Sequence, residues 1–327
     1  VEDGTGLRDR ADLALRRDGG VVVLGLGSLD GDGIVDTPTC QKHSPALAAL
    51  AAAVRADPPP ITRATIRLRV GPGGDRGVWV DCANVDVKVV LDEATWLERQ
   101  AASGVTVALG QRGKEATKVD RGWVLAKQLP LRPWGATWTS GGDAVPVFAA
   151  TSGFSQPGVA VARALVAMVR EAVGSVDGAS RWLEVGSGSG QLTVPLVSSG
   201  AEVVGVEPDA IARGGLRRTL DAAGLTARDV LAQGAGQATD ALRLTLDGCD
   251  AILADPPRDG LGPFVDRLSE GRLPGAIVYV SCGADALLAD AARLVALGYR
   301  VARVAALDAF PWTRHAERVV VFDRRGP

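Results

Sequence analysis

The sequence predicts an α/β protein in which a doubly wound, mostly parallel sheet over residues 151–327 follows a smaller, strand-rich α+β domain over residues 1–150. Three observations predict it. From about residue 158, short apolar runs alternate with segments of helical periodicity, the pattern of buried parallel strands joined by crossover helices. One of those runs ends in the glycine-rich turn Glu184-Val185-Gly186-Ser187-Gly188-Ser189-Gly190. Before residue 150 the pattern is instead period-2 alternation broken by Gly, Pro and Asp, which favours strands and turns.

In chain order, Val21–Leu24, Ile66–Val70 and Val78–Val80 are expected as strands, and so is the alternating stretch Val85–Val90. The alanine-rich segment Pro45–Val54 is expected as a helix stopped by Asp57-Pro58-Pro59-Pro60. Val159–Val173 carries apolar residues at helical spacing. Strands are then expected at 182–185, 203–206, 251–254, 276–280, 301–307 and 319–322, with helices between most of them. Sheets of this kind bind ligands at the carboxyl ends of their strands. Gly186, Glu207, Asp255 and Cys282 all fall at such ends.

With 327 residues, 46% of them hydrophobic, the chain is long enough for two domains and too apolar for wholesale disorder. No apolar run is long and uncharged enough to span a bilayer, and no signal peptide is recognised. The chain begins with Val1 rather than Met, which points to a trimmed N-terminus. Four scattered cysteines argue against a disulfide framework and for a reducing cytoplasm. The net charge of −2 comes from 36 basic and 38 acidic residues. Residues 1–150 hold 18 of each sign, so neither half is a basic domain built for non-specific nucleic-acid binding; a local basic patch is not excluded.

The glycine-rich turn follows a strand and opens a helix, where glycines admit close approach of a ligand and the helix terminus favours polar or anionic groups. Glu207 ends the next strand, where a carboxylate can accept both hydroxyls of a ribose. A tight turn with a solvated acid is the plainer alternative; the two features together favour a cofactor containing adenosine. In Asp255-Pro256-Pro257-Arg258 the paired prolines stiffen the loop and fix the directions of Asp255 and Arg258. Cys82 and Cys249 are expected as core thiols. Cys282 differs, because its apolar run stops just before it and Gly283-Ala284-Asp285 signals a helix start, a setting that stabilises a thiolate. Alone, it is as much a core thiol as a nucleophile. Glu317, at the head of the last apolar run, supplies a base, and together with the glycine-rich turn it favours nucleophile. His315 could orient the site, whereas His43 is expected to be structural.

These residues resemble the RNA uracil-C5 methyltransferase family, whose members make 5-methyluridine in ribosomal and transfer RNA. The resemblance is densest from Ile277 to Phe322. It includes Val278-Tyr279-Val280-Ser281-Cys282, Gly298-Tyr299, Leu307-Asp308-Ala309-Phe310-Pro311 and His315-Ala316-Glu317. Asp255–Arg258 and Phe154-Ser155-Gln156 match further elements, and Arg8–Leu15 with Gly25–Cys40, including Ile34-Val35-Asp36, resembles the family's small central domain. The resemblance implies a Rossmann-like class I methyltransferase domain, an RNA-contacting first domain, S-adenosylmethionine as cofactor and a monomer. It implies Cys282 as nucleophile and Glu317 as base. Gln156, Gly186, Gly188, Gly190, Gln191, Glu207 and Asp255 would hold the cofactor, and Asp255, Arg258 and His315 the substrate. The target uridine would have to be flipped or single-stranded, and ribosomal RNA is expected ahead of transfer RNA. Amino-methylating enzymes usually place an aromatic residue after the paired prolines, so Arg258 argues against adenine-N6 or cytosine-N4 chemistry.

Two positions depart from the family pattern. Gly283 stands where Asn usually follows the nucleophile, and Pro157-Gly158 stands where Asn usually follows the Phe-x-Gln element. Either change could weaken base recognition or catalysis. Neither the N-terminal oligonucleotide-binding barrel of many relatives nor the iron–sulfur segment of some is visible. Cys40 matches one cluster ligand but lacks its close-spaced partners, so no iron–sulfur cluster is expected. The departures and the near-neutral charge keep open a catalytically weakened RNA-binding or assembly factor, and the missing barrel keeps open a methyltransferase of another substrate.

Overall fold

The computed structural model describes residues 4–28, 31 and 33–324; residues 29, 30 and 32, inside the stretch Gly25–Cys40 discussed above, lie outside that set. The chain forms two compact units, Val1–Gly135 with Phe148–Ala160, and Ala136–Val147 with Val161–Pro327.

The first unit is built on one sheet. Strands β1 (Arg10–Asp18), β2 (Val21–Gly27) and β3 (Ile34–Asp36) form an antiparallel set, and β1 also pairs with β4 (Arg63–Val70). Helix α1 (Pro45–Ala56) intervenes. It starts because the Ser44 side chain accepts the Leu47 amide at 3.3 Å with Pro45 at the first turn, and it stops at Asp57 before the three prolines. After β5 (Arg76–Asp81) come helices α2 (Asn84–Asp92) and α3 (Ala94–Ala102). Strands β6 (Val105–Leu109), β7 (Lys114–Val119) and β8 (Gly122–Leu125) complete the order β3-β2-β1-β4-β5-β6-β7-β8. Leu13, Leu15, Leu47, Leu50, Ile66, Leu68, Val78 and Val80 form its core. The three strands expected at Val21, Ile66 and Val78 are present, and so is the helix at Pro45.

The strand expected at Val85–Val90 is a helix, α2. Its buried valines are Val87 and Val90, three residues apart, while Val85 is 71% exposed. The alternation of valine with Asp86 and Lys88 therefore contained a helical stripe, and Asp86 lies in the first turn, where an acid favours helix.

The second unit begins in the hairpin of β9 (Arg132–Trp138) and β10 (Ala144–Ala149), of which it takes residues 136–147. After α4 (Val159–Gly174) strands and helices alternate. They are β11 (Arg181–Val185), α5 (Thr193–Ser198), β12 (Glu202–Val206), α6 (Ala210–Ala223), β13 (Asp229–Leu231), α7 (Asp240–Gly248), β14 (Ala251–Ala254), α8 (Phe264–Leu268), β15 (Ala276–Ser281) and α9 (Ala284–Ala296). Strands β16 (Arg300–Leu307) and β17 (Glu317–Asp323) close the chain. The sheet order is β13-β12-β11-β14-β15-β17-β16. The first five of these strands run parallel, and β17 is antiparallel to both β15 and β16. This is the doubly wound, mostly parallel sheet read from the sequence. Its strands are short and nearly all apolar because both faces are covered: every residue of β14 and β15 is buried. The order reverses between β11 and β14, the kind of switch point at whose carboxyl strand ends sheets of this class bind ligands. Among the described residues, no helix is long and apolar enough to cross a membrane.

Candidate active site

The site grows from the ends of β11, β12, β14 and β15. Directly after β11 the chain turns through Gly186, Gly188 and Gly190, with φ of +79°, +53° and +92°. At Gly186 two demands coincide. The backbone is left-handed, and a Cβ would lie 2.5 Å from the Asp255 carbonyl oxygen, so only glycine lets the loop lie against the end of β14. The Asp255 amide in turn donates to the Val185 carbonyl at 2.9 Å. Glu207, just past β12, accepts the Gly188 amide at 3.0 Å and the Asp209 amide at 2.9 Å, which ties the glycine loop to the start of α6. The Ser187 hydroxyl is buried without a partner. Gln191 donates its side-chain amide to the Ala136 carbonyl at 2.8 Å, so its carboxamide is anchored on β9. Gln156 is half-buried in the first unit, in the segment Phe148–Ala160.

Strand β15 hands Cys282 to the site, and β17 hands it Glu317. In the antiparallel ladder Ala276 pairs with Asp323 and Ser281 with Arg318. The ladder ends there: Cys282 directly follows β15, Glu317 is the first residue of β17, and the Glu317 carboxylate acts on the Cys282 thiol. Cys282 is half-buried, and Glu317 is 7% exposed. The sulfur is therefore not sealed in hydrocarbon.

The charges agree with this proximity. Burial pushes the Cys282 thiol up, and the carboxylates of Glu317 and Asp255 push it the same way; the Arg258 guanidinium opposes them by its charge and by hydrogen bonding to the sulfur. The expectation of a stabilised thiolate is thus not met. The start of α9 favours the anion, but burial and the Glu317 carboxylate outweigh it. Glu317 is itself pushed up by burial, with Arg258 and Arg318 in opposition. Asp255 is pushed up to about 8 by burial and by Glu317 and Glu184. Glu184, on β11, accepts the Thr193 hydroxyl at 2.6 Å and is pushed up to about 7 by burial. These carboxylates repel one another, and a cationic ligand would relieve them.

Glu184 gives a stability test. Its folded pKa exceeds the ordinary 4.5, so the folded protein binds more protons, and its stabilising contribution is lost as pH rises from 4.5 through about 7. The shift corresponds to about 3 kcal/mol. Without ligand, the thermal midpoint is expected to fall between pH 5 and 8, and to fall less in Glu184→Gln. Equal falls in the two proteins would remove Glu184 from the account.

Arg258 is exposed, on a loop fastened from behind. Asp290 on α9 accepts the Tyr279 hydroxyl at 2.8 Å and the Leu261 amide at 2.6 Å, and Arg293 donates to the Gly262 carbonyl at 2.7 Å. Asp290 was not visible as a site residue because it lies mid-helix among alanines. His315 is half-buried, edge-on to Phe310 with ring centroids 6.4 Å apart, two residues before Glu317.

Both departures from the family pattern have a steric reason. Gly283 has φ of −103°, open to any residue, yet a Cβ there would lie 2.6 Å from the Arg258 carbonyl oxygen. A Cβ on Gly158 would lie 2.1 Å from the Leu7 carbonyl oxygen, beside Asp9, which accepts the Val159 amide at 2.9 Å. The glycines thus admit a neighbouring backbone. Gly283→Ala should displace the Arg258 loop and cost about 1–3 kcal/mol of stability. An unchanged thermal midpoint would show that the loop yields freely.

Comparison with known proteins follows the same lines. A family profile described as tRNA (Uracil-5-)-methyltransferase matches residues 237–325. The chain is 32% identical over 326 residues to the RNA methyltransferase Bd2056 of Bdellovibrio bacteriovorus, itself uncharacterized, covering 97% of this chain and 81% of that protein. It is 36% identical over 140 residues to 23S rRNA (uracil(1939)-C(5))-methyltransferase RlmD of Neisseria lactamica, covering 42% of this chain and 30% of that one. For RlmD of Alkalilimnicola ehrlichii the figures are 35% over 177 residues, 52% and 38%. The matched stretch is thus less than half the length of either RlmD protein. Among solved structures, Pyrococcus abyssi tRNA (uracil-54, C5)-methyltransferase in complex with S-adenosyl-L-homocysteine shares the fold, with a TM-score of 0.69 at 22% identity over 98% of this chain and 77% of that one.

Proposed function

The chain belongs to the RNA uracil-C5 methyltransferase family, and from that premise we propose that it methylates C5 of a uridine in ribosomal RNA through a covalent adduct on Cys282. The observation that carries the reading is the placement of Cys282 just past β15 and of Glu317 at the start of its antiparallel partner β17, with the charges of Glu317, Arg258 and Asp255 all acting on the thiol.

S-adenosylmethionine fits the residues present, and when bound it supplies an electrophilic methyl group. The turn at Gly186, Gly188 and Gly190 presents bare backbone at the end of β11, held by the close approach of Gly186 to Asp255 and of Gly190 to Leu216. Glu207 stands ready for a ribose, and the mutually repelling carboxylates Glu184 and Asp255 suit a ligand carrying a sulfonium and an ammonium.

On the substrate side, C5 of uracil is a poor nucleophile. The Cys282 thiolate, paired with Arg258, bonds to C6, and the electron pair of the C5–C6 double bond moves toward the C4 carbonyl. C5 then carries enolate character and takes the methyl group. Glu317 removes the C5 proton, the double bond re-forms, and the C6–sulfur bond breaks to return the thiolate. Burial that keeps Glu317 basic suits it to this last step. Retention of the thiol and of the carboxylate that acts on it favours this activity over a merely RNA-binding factor.

The ribosomal choice rests on the relatives that act on 23S rRNA. Its test is to incubate the protein and S-adenosylmethionine with unmodified 23S rRNA and tRNA transcripts and analyse the nucleosides by mass spectrometry. 5-Methyluridine in the 23S rRNA alone is expected. Its appearance only in tRNA would correct the RNA class, and its absence from both would reject the activity.

A further inference from the structure

The loop between β16 and β17 carries a feature that the mechanism above leaves unused. Among the described residues Trp312 is the one non-glycine residue with positive φ, at +63°. It sits at the third position of the turn Phe310-Pro311-Trp312-Thr313, closed by the Thr313 amide donating to the Phe310 carbonyl at 3.1 Å. Proline second and positive φ third is the pattern of a type II turn, whose third position ordinarily takes glycine or asparagine. A tryptophan there is locally unfavourable, and it is not held for burial: Trp312 is 61% exposed. Ala309 and Pro311 face inward, whereas Trp312, Thr313 and Arg314 face out. The hairpin's first pair is Leu307 with Glu317, so the loop springs directly from the residue whose carboxylate acts on Cys282.

An exposed indole on a hydrogen-bonded turn, two residues from an exposed arginine, fits one ligand chemistry above others. Bases stack on aromatic faces whatever their sequence, and cations beside the ring meet the phosphates. We propose that Trp312 is a nucleobase-stacking residue that holds a base of the RNA next to the target uridine. The proposal rests on the RNA-methyltransferase reading, and it makes Trp312 a positioning residue rather than a catalytic one.

The test uses the full chain with S-adenosylmethionine and whichever unmodified transcript, 23S rRNA or tRNA, the wild type methylates. Stacking predicts that Trp312→Ala raises KM for RNA about tenfold or more, with kcat and KM for S-adenosylmethionine within about twofold. Trp312→Phe, which keeps an aromatic face, should stay within about threefold of wild type. Trp312→Gly suits the turn, so its thermal midpoint should equal or exceed that of wild type while its KM rises as in the alanine variant. That divergence separates stacking from a structural role. An unchanged KM in Trp312→Ala, or a phenylalanine variant as weak as the alanine one, overturns the proposal and leaves the enzyme reading intact. A wild type inert on both transcripts overturns the reading itself, and the proposal with it.

Discussion

Cys282→Ala is expected to lower methyl transfer by on the order of 10⁴-fold or more, and to abolish the adduct that wild type forms with RNA containing 5-fluorouridine. The analogue accepts the thiolate at C6 and the methyl group at C5, but fluorine cannot leave C5 as a proton does. The enzyme then stays bonded to the RNA, visible as a complex that survives denaturing electrophoresis. The loss should be chemical rather than structural. Cys282 is half-buried at the tip of β15, outside the apolar core of the second unit, so removing one sulfur leaves the packing of Ile277 and Tyr279 untouched. The thermal midpoint should therefore barely move. A Cys282→Ala protein that still methylates at the wild-type rate would end the covalent route, whatever the fold.

The parallel sheet was legible because its strands have no polar side to hide. Ile252 and Leu253 point to opposite faces of β14 and both are fully buried, so the apolar run marks the strand without any need for periodicity. Edge strand β13 carried no such mark: three residues, Asp229 to Leu231, none fully buried. The first unit is harder to read, since an antiparallel sheet with one solvated face shares its composition with amphipathic helix. Strand β1 alternates Ala11, Leu13 and Leu15 inward with charged residues outward, and went unread among its arginines. The stretch at Val85 alternates almost as well, yet forms α2. What separates them is partnership: β1 lies between β2 and β4, and no local signal states which segment gains two neighbours.

At the site, residue types were legible and their balance was not. Glycine spacing located the loop, and strand ends located Glu207, Asp255 and Cys282. The protonation of Cys282 depends on Glu317, 35 positions away, brought near only by the antiparallel return of β17. Gly283 and Pro157-Gly158 stand in the sequence as departures from an expected asparagine. Their reason, a carbonyl oxygen within 2.6 Å and 2.1 Å of a would-be Cβ, comes from residues distant in sequence. Trp312 did leave a local trace, a Pro-x pair in a turn with no glycine after the proline.

Glu317→Gln should separate the two halves of the reaction. Glutamine keeps the size of the side chain and removes its charge, and that charge is one of the two carboxylates holding the Cys282 thiol up. Attack on C6 should therefore not slow, and the methyl group should still reach C5. Without a base the C5 proton stays, and the enzyme stalls as a methylated adduct on ordinary RNA, with turnover down about 10²–10⁴-fold. Denaturing electrophoresis with unmodified transcript and S-adenosylmethionine should show a covalent complex for Glu317→Gln that wild type does not accumulate. Adding Cys282→Ala to the same chain should remove it, which places the sulfur before the carboxylate in the sequence of events. Turnover near the wild-type rate in Glu317→Gln, with no complex, would assign proton removal to another group, and Asp255, whose carboxylate also acts on the Cys282 thiol and is pushed up by burial, is the candidate.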